Sequence, residues 1–125
     1  MEETPAAKYV EDHCSRKPGA TSGFPFGEEH RVFKVRGKIF AVLHAEESPT
    51  RGTFKADPEL TGLLRGQYPS VRPARPFDKR YWSTLTCDGP VPTDKVVELL
   101  DASYDIVFNG LKRSDREALK GADQR

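Results

Sequence analysis

The sequence predicts an α+β domain, a largely antiparallel sheet with helices packed on it. Three observations carry that expectation. Strand-like segments cluster in the order α-β-β-β-α-β-β-α-α, whereas a parallel sheet needs strands and helices to alternate. Two helix starts pair a capping residue with proline, at Thr4-Pro5 and Asp57-Pro58. Residues 94–110 hold apolar positions at helical spacing for four turns, enough to cover a sheet face.

Thr4-Pro5 opens a first helix with Ala7, Val10 and Cys14 on one stripe, and Lys17-Pro18-Gly19 stops it. Residues 20–30 read as a Gly/Pro-punctuated connection, with Phe24 and Phe26 tucked onto the core. Arg31–Arg36 and Lys38–His44 form two strands joined across Arg36-Gly37. Phe33 and Val35 share a face of the first. The near-continuous Ile39-Phe40-Ala41-Val42-Leu43 predicts a central strand covered on both sides. Residues 46–52 are a polar loop, and 53–56 a short third strand.

In the second helix, Asp57 is the cap, Pro58 the first position, and Leu60, Leu63 and Leu64 the buried stripe. Pro69, Pro73 and Pro76 confine any strand around Val71 to a sheet edge, because proline cannot donate to a ladder. In Tyr81–Cys87, alternation puts Tyr81, Ser83, Leu85 and Cys87 on one face and Trp82, Thr84 and Thr86 on the other. Asp88-Gly89 is a turn signal. Val96, Leu100, Ser103, Tyr104, Val107 and Leu111 mark the long helix, which Gly110 ends, and Ser114-Asp115-Arg116-Glu117 is a capping box for a short last helix.

With 125 residues, 36% hydrophobic and 31% charged, the chain suits one domain spanning 1–125, with its core within about 4–120. No apolar run reaches the ~18–20 residues that span a bilayer, and no apolar leader opens the chain, so a cytoplasmic protein with no membrane contact is expected. Cys14 and Cys87 are then expected as reduced thiols. The net charge of +1 conceals a gradient, since residues 31–82 carry eleven Lys/Arg against five Asp/Glu. A cationic face is therefore possible on a nearly neutral protein.

Motifs for chemistry are missing. His13, Cys14, His30, His44 and Cys87 fall in no metal-ligand spacing. Gly23-x-x-x-Gly27 lacks the Lys-Ser/Thr and helix start of a phosphate loop. Glu28-Glu29 and Glu46-Glu47 sit beside turn residues, where solvated acids lie. No catalytic residue, metal or cofactor is expected. Lys34, Arg36 and Lys38 surround one hairpin tip, and Arg72, Arg75, Lys79 and Arg80 lead into Trp82. Such residues can straddle phosphates, and Trp82 or Phe77 can stack on a base, although a lone tryptophan is more often a packing residue.

These residues also resemble the MmcQ/YjbR family of small bacterial proteins. The likeness runs through Phe24-Pro25-Phe26-Gly27, Val32-Phe33-Lys34-Val35-x-Gly37-Lys38-Ile39-Phe40-Ala41 and Asp57-Pro58-Glu59-Leu60. It continues through Lys79-Arg80-Tyr81-Trp82-x-Thr84, Asp88-Gly89-x-Val91-Pro92 and Ser103-Tyr104, covering roughly residues 6–119. The resemblance implies an α-β(3)-α-β(2)-α fold, here with one further helix, similar to secretion-chaperone-like domains. The family is customarily labelled DNA-binding because that fold resembles the double-wing domain of a phage transcription activator, and fold analogy alone does not establish function. One departure is that the family usually has Asn where this chain has Asp78. A carboxylate there would partly neutralise the Lys79-Arg80 patch.

Two functions follow as expectations. The first is a monomeric, non-enzymatic protein binding double-stranded DNA through Lys34, Lys38, Arg72, Arg75, Lys79 and Arg80, with Trp82 beside them. The second is a protein- or peptide-binding module that uses the exposed edge at 68–78 to accept a strand.

Overall fold

The chain runs α1 (Pro5–Ser15), β1 (Ala20–Gly23), β2 (His30–Val35), β3 (Lys38–His44), β4 (Arg51–Lys55), α2 (Pro58–Gln67), β5 (Arg72–Pro73), β6 (Trp82–Thr86), α3 (Thr93–Asn109) and α4 (Arg113–Asp123). This is a computed structural model, and it describes residues 5–25, 27, 29–44, 50–74, 77–87 and 89–123. The Thr4 cap, the Phe26 anchor, Glu28, Glu46-Glu47, Arg75 and the Asp88 turn position lie outside the described residues. All strand pairs are antiparallel, in the spatial order β1-β2-β3-β4-β6-β5.

The predicted α+β class holds, with one strand more than the α-β(3)-α-β(2)-α pattern. Ala20–Gly23 is an edge strand on β2, although its Gly and polar residues read as a connection. A ladder asks little of an edge strand's side chains, so pattern alone does not reveal it. Phe24 is not tucked onto the core but 49% exposed, because the chain leaves the sheet just before it. The predicted edge at Val71 is the two-residue β5, where Pro73 stands without a backbone donor.

Register sorts the strand residues into two faces, because antiparallel partners share a side. Phe33, Ala41, Phe54 and Ser83 are successive partners on one face, beside Leu43, Gly52 and Leu85. These apolar residues share one buried cluster with Val10 and Cys14 of α1, Leu64 of α2, Val96, Leu100 and Val107 of α3, and Leu119 of α4. The helices thus cover this inner face. Fully burying Phe33, Phe40, Phe54, Leu85 and Leu100 contributes roughly 1.5–3 kcal/mol each. Trp82, Val32, Val42 and Ala74 are buried outside that cluster.

The continuous apolar run of β3 has a local cause. The register shifts between Phe33 and Lys34, so that Ala41 pairs with Phe33 and Ile39 with Lys34, leaving Phe40 as the extra residue of a bulge. Phe40 joins Ala41 in the core, while Val42 is buried on the outer face. Ser103 of α3 fastens this irregularity, its hydroxyl donating to the Phe40 carbonyl at 2.6 Å and accepting the Lys55 N–H at 2.7 Å. β3 lies inside the sheet, as predicted, with buried residues on both faces but helices on the inner one, and Ile39 pairs with Lys34 outside the core cluster.

The helix ends follow their signals unevenly. Asp57 accepts the Leu60 N–H at 2.9 Å with Pro58 at the first position, as the sequence predicts. Thr61 and Leu64 are the buried residues of α2, and Leu63 is 65% exposed, so the predicted leucine stripe is rotated. The capping box at Ser114 does not form, since α4 begins earlier, at Arg113, and Lys112 O accepts from Asp115 and Arg116. Asp115 is used elsewhere. It takes both Arg36 Nε, at 2.9 Å, and an Arg36 terminal nitrogen, at 2.7 Å, tying the β2–β3 turn to α4. That turn holds Arg36 at φ +48° and Gly37 at φ +82°, the twist that suits a two-residue hairpin.

Asp101 of α3 joins α1 to the body through His13 at 2.8 Å and Lys17 at 2.5 Å. Burial alone raises the Asp101 carboxyl, but hydrogen bonds from Lys17 and His13 prevail and hold it below the ordinary value. A depressed folded-state carboxyl stabilises above its unfolded pKa, and that contribution is lost as pH falls through the folded value.

Candidate nucleic-acid interface

The outer face is built from partners in register. One row runs Gly23, Val32, Val42, Thr53, Thr84 and Arg72, and the next His30, His44, Arg51 and Thr86. Lys34 stands at the same level as Thr21 and Ile39, and Lys55 opposite Trp82. The six strands contain Arg31, Lys34, Lys38, Arg51, Lys55 and Arg72, and no Asp or Glu at all. Of these, Arg31 is turned to the helices, where it pairs with Glu11, and Lys38, the register partner of the buried Val35, ends the inner side at the hairpin tip. The acids of the folded elements lie on the helices, four of them on α3. The fold thus keeps carboxylates off the strands while the helices carry both signs, an arrangement that net charge cannot reveal.

The predicted site residues divide on this frame. Lys34 and Arg72 lie on the outer face and Lys38 is exposed at the hairpin tip. Among the described residues none of these three makes an ion pair, and neither does the exposed Lys79. Arg80 is compromised, since its guanidinium grips Asp78 at 2.8 and 3.2 Å and its backbone N–H donates to the same carboxylate at 3.0 Å. The side-chain bond, then the backbone bond, hold the Asp78 carboxyl down at about 2, so the pair stays ionised across the working pH range.

Trp82 is on the outer face, as alternation predicts, but is only 8% exposed. Phe77 stacks on it with ring centres 4.5 Å apart, and Lys55 Nζ lies 6.0 Å from its centre and 5.6 Å from that of Tyr81. Trp82 therefore supports the face as a packed residue, and Phe77 forms the layer above it. Two further cations of the basic segment are structural: Arg36 is held by Asp115, and Arg65 of α2 donates to the Lys79 carbonyl at 2.7 Å and the Trp82 carbonyl at 3.0 Å. Arg65 thereby pins the start of β6.

Arg51 and Lys55 were not among the predicted site residues. Their alternation in Arg51-x-Thr53-x-Lys55 could have revealed them, had the strand been started at 51 and not 53. A hydrogen-bonded chain crosses the same face, from His30 Nδ1 to His44 Nδ1 at 3.2 Å, His44 Nε2 to Thr53 Oγ1 at 3.0 Å, and Thr53 Oγ1 to Thr84 Oγ1 at 2.8 Å. On the inner face Cys14 and Cys87 are fully buried. Burial, with Cys87 and Glu11 adding, pushes the Cys14 thiol well up, so it supplies no thiolate near neutral pH.

Fold and face together define a class: a small α+β protein with helices on one side of an antiparallel sheet whose strands carry cations and no carboxylate. The model of the YjbR family matches residues 15–106, and the chain belongs to that family. It is 36% identical over 107 residues to the uncharacterized protein YjbR of Escherichia coli K12, covering 86% of this chain and 91% of that protein. Against the uncharacterized protein YbdF of Escherichia coli O157:H7 the identity is 30%, covering 78% and 80%. The crystal structure of Deinococcus radiodurans protein DR2400, with its DUF419 domain, superposes with a TM-score of 0.86 at 32% identity, covering 95% of this chain and 92% of that one. A Pseudomonas syringae protein shares the fold, with a TM-score of 0.65 at 24% identity over 79% of this chain and 95% of that one. Among the described residues no helix is long and apolar enough to cross a membrane.

Proposed function

We propose that the protein binds double-stranded DNA through the outer face of its sheet, as a binding protein and not an enzyme. The observation that carries this reading is the segregation of charge, six cations and no carboxylate in the strands. Lys34, Lys38, Lys55 and Arg72 reach phosphates, while Thr21, Thr84 and Thr86 supply hydroxyls between them. The predicted set is thereby revised: Arg80 is discounted, Trp82 acts from beneath, and Lys55 enters.

The test is an anisotropy titration with labelled duplex at two salt concentrations. Four phosphate contacts give a slope of about −3.6 in log affinity against log salt, so raising salt from ~50 to ~200 mM should weaken binding about 10²-fold. Affinity that does not change with salt, or no binding at the lower concentration, sinks the proposal. A second prediction concerns Asp78. Asp78→Asn releases Arg80 and adds about one phosphate contact, so affinity at ~50 mM salt should rise about tenfold and the slope steepen by about 0.9. The same titrations check both.

Strand addition at the 68–78 edge is the weaker reading. The edge is two residues long, Pro73 has no N–H, and Ala74 N–H already donates to the Trp82 carbonyl at 3.1 Å.

A further inference from the structure

We propose that His30 and His44 form a binding site for a divalent transition-metal ion of the zinc, copper or nickel type on the outer face of the sheet. The proposal does not depend on nucleic-acid binding. The two residues are register partners on β2 and β3, and their Nδ1 atoms are 3.2 Å apart with the rings at 88°. Two nitrogens at that separation, each about 2.0–2.1 Å from a zinc ion, subtend about 100° at the metal, close to a tetrahedral edge.

Without metal, the two Nδ1 atoms share one proton in a hydrogen bond, one donating and the other accepting. His44 Nε2 lies 3.0 Å from Thr53 Oγ1 and Thr53 Oγ1 lies 2.8 Å from Thr84 Oγ1; in the tautomer with the proton on His44 Nε2, His44 Nδ1 is the acceptor of the pair. Metal ligation by histidine commonly rests on such an outer hydrogen bond, which sets tautomer and ring orientation. When metal enters, the His30 proton moves from Nδ1 to Nε2 by exchange with water, and both Nδ1 lone pairs turn to the ion. The net charge of the imidazoles is unchanged.

The donor set favours the metals named. Two imidazoles with no carboxylate among the strand residues suit zinc, copper and nickel and offer nothing to calcium or magnesium. Among the described residues no third His, Cys, Asp or Glu joins the pair. Arg51 is the register partner of His44 on β4. The other soft donors stand apart: Cys14 and Cys87 are buried, and His13, the third histidine of the chain, is held by Asp101 on the helical side.

Calorimetric titration of the full chain with Zn²⁺ in a non-coordinating buffer near neutral pH tests this. One ion per chain is expected. His30→Gln and His44→Ala should each weaken binding at least tenfold, Thr53→Val about tenfold through the lost outer hydrogen bond, and His13→Ala not at all. If His44→Ala fails to fold, the visible spectrum of the Co²⁺-loaded native chain, with its tetrahedral bands lost in His30→Gln, decides. No saturable binding up to millimolar Zn²⁺, equal affinity in His30→Gln, or loss of binding in His13→Ala would overturn the proposal.

Discussion

Lys55→Glu with Arg72→Glu is expected to weaken duplex binding by at least about 10²-fold at ~50 mM salt, and to lower the slope of log affinity against log salt by about 1.8. The two residues lie on adjacent sides of β6: Lys55 is opposite Trp82, and Arg72 opposite Thr84. Reversing both puts carboxylates into a surface whose strands contain none, so repulsion adds to the lost contacts. Lys79→Glu with Arg80→Glu is the informative comparison. Arg80 already holds Asp78, so its reversal removes a cation that is largely neutralised. That pair should cost no more than about tenfold, roughly the one contact that Lys79 can make. Circular dichroism must show both variants folded, because the Lys55 ammonium also lies over Tyr81 and Trp82. Equal losses in the two pairs would mean that the loop cations meet the phosphates as strongly as the sheet face does. Unchanged affinity in the first pair would remove the sheet face from the interface.

That contrast shows which parts of the site a sequence can carry. Alternation in Tyr81–Cys87 put Trp82 on the correct face, and the structure keeps Leu85 and Cys87 in the core opposite it. Pattern could not tell that Phe77, five residues away, closes over Trp82 and turns an apparent stacking platform into a packed pair. The basic excess of residues 31–82 was legible as a number, but its parts have different fates. Arg31, Arg36 and Arg65 are taken up by Glu11, by Asp115 and by backbone carbonyls of residues distant in sequence, and only the fold specifies those partners. Fold class and helix positions were legible because caps and apolar spacing are local signals. β1 was missed because an edge strand of Ala-Thr-Ser-Gly is held by its partner's backbone, and nothing in its own side chains announces it.

Leu100→Asp should abolish cooperative unfolding. Leu100 is wholly buried in α3, within the cluster that Phe33, Phe40 and Phe54 share. A carboxylate there loses the leucine's transfer free energy and has no cation among its buried neighbours, a combined cost of several kcal/mol. Domains of this kind are stable by only about 5–15 kcal/mol, so the native state is depopulated or lost. Ile39→Asp, equally severe if Ile39 were a core residue, is expected to be milder, because Ile39 pairs with Lys34 and is only partly buried. Leu63→Asp is the control. Although it belongs to the apolar pattern of α2, Leu63 is 65% exposed, and its substitution should change stability by no more than about 0.5 kcal/mol. Thermal and denaturant unfolding of the three variants gives the order directly. Sharp native-like unfolding in Leu100→Asp, or a collapse in Leu63→Asp, would mean that α3 does not seal the inner face. The outer face could not then be the side left for a ligand.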